Sequence, residues 1–140
     1  MRALLLGLCL TLAGCGGEGS KLVTVRAGSG NGPIDFAVKN ATDVGINSLF
    51  MAKTEVVQKN DPDHLDPNSP QGQEVWGGDL LSAAIPIGER VPIVVREPGR
   101  WDLRATDRDG REQHVAGLKL EAGGRYILEL HDGGWRVPRP

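Results

Sequence analysis

Beyond residue 20 the chain alternates apolar and polar positions over short stretches, each closed by turn residues. In Trp101-Asp102-Leu103-Arg104-Ala105-Thr106, the residues Trp101, Leu103 and Ala105 share one face while Asp102, Arg104 and Thr106 share the other. Tyr126, Leu128 and Leu130 repeat the period of two, with Glu129 turned away. Such a period sets one face of a strand in a core and the other in solvent, the mark of a half-buried antiparallel strand. It predicts strands over 21–26, 34–39, 44–51, 91–96, 100–106, 111–120, 125–131 and 135–137. Asp107-Arg108-Asp109-Gly110 reads as a hairpin connection, with Gly110 in the left-handed position. Gly123-Gly124 and Asp132-Gly133-Gly134 punctuate the C-terminal end in the same way. The one helix-like stretch, 74–84, is short and interrupted by Gly77-Gly78.

A length of 140 residues favours one domain, and 39% hydrophobic with 24% charged residues is globular composition. Twenty glycines, nine prolines and few aromatics fit many turns around a modest core. A formal charge of -2 excludes a nucleic-acid binder that works through an overall basic surface. Seven or eight short strands predict an all-β fold, an antiparallel β-sandwich of immunoglobulin-like or transthyretin-like type. A small closed barrel has the same strand pattern and stays open as the alternative.

The first 15 residues differ from the rest. A positive start at Arg2 precedes an apolar run from Ala3 to Ala13. That run matches the core of a signal peptide and falls well short of the roughly 20 residues needed for a spanning helix. It ends in Leu12-Ala13-Gly14-Cys15, which resembles the lipobox of bacterial lipoproteins. The resemblance implies cleavage between Gly14 and Cys15, a diacylglyceryl group on the Cys15 thiol and an acyl chain, such as palmitate, on its new amino group. Two or three buried chains make a stable anchor where one does not. The expected organisation is a helical signal peptide at 1–14, the lipidated cysteine with a Gly/Ser tether at 15–20, and the β domain at 21–140. Cys9 leaves with the signal and Cys15 is blocked, so disulfides, thiolate metal sites and cysteine nucleophiles are excluded from the mature domain. Gly16, rather than Asp, follows the cysteine; by the same resemblance this favours the outer membrane, facing the periplasm.

Candidate chemistry is sparse. Asp61, Asp63 and Asp66 offer hard oxygen ligands in the loop Asp61-Pro62-Asp63-His64-Leu65-Asp66, but without the glycine turn and distal glutamate of a calcium loop. Asp107 and Asp109 are explained by hairpin geometry. His64, His114 and His131 lack helical metal spacing, although His114 and His131 fall in strands that pairing would bring together. Gly28-Ser29-Gly30-Asn31-Gly32 has neither dinucleotide nor P-loop spacing, and no Gly-x-Ser-x-Gly elbow exists. The 18 acids single out no carboxylate pair. Asn40-Ala41-Thr42 is a formal glycosylation sequon, set aside for a bacterial lipoprotein. Trp76 and Asp79 are the candidate ligand or partner contacts; the competing reading has Trp76, Leu80 and Leu81 capping an open end of the domain.

From 34 to 130 the order Asn40-Ala41-Thr42, Trp76-Gly77-x-Asp79-x-Leu81, Gly88, Trp101-Asp102-Leu103-Arg104 and Asp107-x-Asp109-Gly110 resembles a class of small exported bacterial domains of unknown function. That resemblance implies export and a sandwich. The expectation is therefore a non-catalytic interaction or structural module of the cell envelope, held to the membrane through Cys15 and contacting another envelope protein. Neither a cofactor nor a metal is expected. A small-ligand or metal-binding lipoprotein is the alternative.

Overall fold

The computed structural model describes residues 19–60 and 65–137. The expected signal peptide, Cys15 and the loop residues Asp61, Asp63 and His64 lie outside the described residues.

The described chain is mostly β, in two sheets. Its elements are β1 (Lys21–Arg26), β2 (Asp35–Ala41), β3 (Ile46–Lys53), α1 (Thr54–Asn60), α2 (Pro70–Trp76), β4 (Arg90–Pro92), β5 (Gly99–Asp107), β6 (Glu112–Leu120) and β7 (Arg125–His131), with a short 3-10 turn at Asp132–Gly134. One sheet has the order β1-β7-β2-β4 and the other β3-β5-β6. Phe36, Val38, Tyr126, Leu128 and Leu130 from the first sheet meet Ile46, Leu49, Leu103, Ala105, Leu118 and Leu120 from the second in one buried cluster. Alternate positions of each strand supply it, as a period of two requires. The arrangement is compatible with a β-sandwich.

Four details depart from the sequence reading. Pairing is not antiparallel throughout, because β2 runs parallel to β7 in the middle of the first sheet. Alternation looks the same in both kinds of pair, so the pattern does not distinguish them. Strand β4 stops at Pro92; Ile93 and Val95 still point inward, but beyond the ladder. The 135–137 stretch contributes only an isolated bridge, Glu112 to Arg136. Finally, the helical residues are Thr54–Asn60 and Pro70–Trp76, not 74–84. Ser69 caps α2 by accepting from the Gly72 N–H at 3.0 Å, Pro70 occupies the first turn, and the chain leaves the helix at Gly77.

The corner after β2 is fixed by Asn40, which has no exposed surface. Its amide group donates to the carbonyls of Val44 at 2.8 Å and Ile85 at 2.9 Å. Its carbonyl oxygen accepts from the Thr42 N–H at 2.9 Å and the Thr42 hydroxyl at 2.6 Å. One side chain thus satisfies the backbone where the chain crosses between sheets, and in the folded protein it is closed to a glycan. The hairpin at Asp107–Gly110 forms as expected, with Gly110 at φ 86°. Asp107 accepts from the Asp109 and Arg111 N–H groups and from the Arg111 guanidinium. That last bond raises the Arg111 pKa above its ordinary value; arginine is charged throughout the working range, so stability near neutrality does not change with it.

Asn40→Ala would leave the buried Thr42 N–H without its acceptor, while the Val44 and Ile85 carbonyls keep only the Thr42 hydroxyl and the Ile46 N–H, and it should cost about 1–3 kcal/mol in denaturant unfolding. Asn40→Asp should cost at least as much, since it sets carboxylate oxygen against the Val44 and Ile85 carbonyls. Unchanged stability of both variants would remove Asn40 from this role.

Candidate functional site

Strand β5 carries apolar residues toward the core and Asp102, Arg104 and Thr106 toward the opposite face of its sheet. That outer face is not in solvent. Phe50 and Ala52 of β3, Val57 of α1 and Trp76 of α2 form a second buried cluster on it. Asp102 and Arg104, 2% and 1% exposed, lie beneath the same cover. Two charges removed from water are tolerated only when their hydrogen-bonding capacity is met.

It is met at Asp102 from three directions. Thr54, the first residue of α1, donates its hydroxyl to Oδ1 at 2.7 Å. The Gly117 N–H reaches the same oxygen at 2.9 Å. His114 Nε2 is 2.8 Å from Oδ2, and because a carboxylate only accepts, the imidazole proton sits on Nε2. Gly117 reaches its position through a bulge: Trp101 pairs with Leu118 and Leu103 with Val115, leaving two β6 residues opposite Asp102. The φ of 69° at Gly117 turns its N–H out of the ladder toward the carboxylate, a conformation that suits a residue without a Cβ.

Arg104 is held beside it. Its guanidinium donates to Glu112 through Nε at 3.1 Å and Nη2 at 2.5 Å, and through Nη1 to the Leu65 carbonyl. Trp76 completes the group. Its ring stands edge-on to His114, with centroids 5.5 Å apart, and the Arg104 Cζ lies 5.4 Å from its centroid.

The order of groups decides what this cluster can do. In a nucleophilic relay the imidazole stands between a carboxylate and a hydroxyl, where it takes the hydroxyl proton. Here the carboxylate stands in the middle, and Thr54 and His114 both donate to it. The Thr54 hydroxyl therefore donates to Asp102 and not to His114, and the three bonds to the carboxylate tie α1, β5 and β6 together.

The residues singled out in the sequence separate. Trp76 is 2% exposed, a member of the second core. Asp79 is exposed, and its Oδ1 accepts from the Leu49 and Leu81 N–H groups, both at 3.0 Å. With the Leu80 N–H bonded to the Leu49 carbonyl at 2.8 Å, the segment after α2 covers part of the free edge of β3. Trp76 and Asp79 thus do not form one exposed patch. His114 and His131 do not approach one another either: β6 and β7 belong to different sheets, and the two rings lie on opposite outer faces. His131 pairs instead with Glu129 at 3.2 Å. Asp66 accepts from the Asn68 N–H at 2.9 Å. Among the described residues, no three His, Cys, Asp or Glu side chains gather as metal ligands, and no helix is long and apolar enough to cross a membrane.

The buried Asp102–Arg104 cluster escaped the sequence reading, which took the polar face of β5 as solvated. One signal was present: Leu49-Phe50-Met51-Ala52 in the neighbouring strand is apolar without alternation, as a strand covered on both faces is. No known family model matches this chain, and neither a curated protein nor a solved structure is similar to it.

Asp102→Ala leaves three donors without an acceptor and should destabilise the fold by about 3 kcal/mol or more. Asp102→Asn keeps an acceptor for Thr54 and Gly117, so its loss in urea unfolding should be smaller. Equal losses would mean that the Thr54 and Gly117 bonds, which asparagine keeps, contribute nothing.

Proposed function

We propose that this chain is a bacterial lipoprotein, processed to begin at Cys15, whose β-sandwich of immunoglobulin-like or transthyretin-like type acts by contact in the cell envelope and not by catalysis. The observation that carries this reading is the register of Leu12-Ala13-Gly14-Cys15 behind a short apolar core and a positive start. It is supported by the order of groups at Asp102, where the hydroxyl and the imidazole both donate to the carboxylate. In this reading Cys15 carries the acyl chains, residues 16–20 are the tether, and the domain stands in the periplasm against the outer membrane, beside a partner protein of the envelope.

Growth with labelled palmitate tests the anchor. The wild-type protein should take up label and lose the mass of residues 1–14, and Cys15→Ser should remain unprocessed and unlabelled. Continued labelling of Cys15→Ser would overturn the assignment. Crosslinking in intact cells should then capture an envelope protein; enzymatic turnover by the purified domain would count against a contact role.

A further inference from the structure

The outer face of the second sheet lies under α1 and α2, whereas no described element packs on the outer face of the first. The register aligns that open face into rows across its strands. Val23, Ile127, Ala37 and Pro92 are successive partners over β1, β7, β2 and β4, an apolar row spanning the whole sheet. Lys21, Glu129, Lys39 and Arg90 form the row on one side of it. Arg26, Arg125 and Asp35 form the row on the other.

Charge is sorted to this face. Its rows hold five basic and two acidic side chains, a formal +3, while the other described residues hold nine basic and 13 acidic, a formal -4. Of the two acids, Asp35 pairs with Arg125 at 2.9 Å, and Glu129, between Lys21 and Lys39 in its row, lies 3.2 Å from the His131 ring nitrogen. Lys21, Lys39 and Arg90 have no carboxylate partner among the described residues. Between Arg90 and Arg125 the face dips into a depression of about 450 Å³ whose floor includes Ala37, Pro92 and Ile127. Its rim carries Arg90 and the Arg125–Asp35 pair, and a rim of net positive charge over an apolar floor suits a phosphodiester headgroup with the start of its acyl chains.

We propose that this face rests on the anionic phospholipid surface of the bilayer that holds Cys15. The inference depends on the lipid-anchor reading for its geometry. Six residue steps from Cys15 to Lys21 reach at most about 20 Å, which keeps the first strand near the headgroups. At that range basic side chains on the facing surface are attracted and the acidic remainder is turned away, an orienting effect that salt weakens. The apolar row then meets the headgroup level, flanked by Lys21, Lys39 and Arg90 against phosphates.

The test uses the acylated protein that begins at Cys15, in vesicles of phosphatidylcholine with or without phosphatidylglycerol. Flotation reports attachment, and amine acetylation read by mass spectrometry reports which lysines are covered. The protein should float with both vesicles, and on the anionic ones Lys21 and Lys39 should react roughly fivefold more slowly, or slower still, relative to Lys59 and Lys119. Added salt should restore their rate. The exposed pair Lys21→Glu/Arg90→Glu should float with both but lose the protection of Lys39. Flotation with both and equal labelling on both overturns the docking face and leaves the anchor standing. Flotation with the anionic vesicles alone supports the face and removes the anchor, and flotation with neither overturns both.

Discussion

A single buried carboxylate joins three elements of this fold. Asp102 sits on the middle strand of the β3-β5-β6 sheet, on the face away from the main core, and receives the first hydroxyl of α1, a bulge amide of β6 and an imidazole of β6. Phe50, Val57 and Trp76 close over that face, so the bonds form where water does not compete and an unmatched donor would be costly. The covering helices are seven residues each, too short to persist alone. They depend on the sheet beneath them, and the charged residues of that sheet depend on their cover.

This explains why the two outer faces are so unlike. One is sealed by helices and internally paired, while the other carries an apolar row between charged rows and lies open. A domain with one finished face and one unfinished face has a natural side to present to something else. The proposed anchor and the proposed docking surface both place that something at the membrane.

The alternating residues of β5 and β7 made their strands legible, and the Asp107–Gly110 hairpin was legible from turn chemistry. The partners of those strands were not, since a period of two says which face is apolar and nothing about the direction of the neighbour; hence the parallel β2–β7 pair. The polar face of β5 was misread for a related reason. Asp102 and Arg104 alternate as solvent-facing residues do, and only the unbroken Leu49-Phe50-Met51-Ala52 run hinted that the sheet was covered twice. Helix α1 offered little, with two adjacent valines in seven residues, and the Ser69-Pro70 start of α2 followed a polar loop that hid it. Asn40 stood in the sequence only as part of a formal sequon that was set aside, and nothing there marked it as the buried corner post it is.

The dependence of the helical cover on Asp102 is tested most directly by native-state hydrogen exchange, comparing the wild-type protein with Asp102→Ala residue by residue. Amides of α1, α2 and Gly117 should lose protection first and most, while those of β2 and β7 in the other sheet keep theirs under conditions where the variant remains folded. Protection lost evenly across both sheets, or retained in full over α1 and α2, would contradict a carboxylate that holds the cover in place.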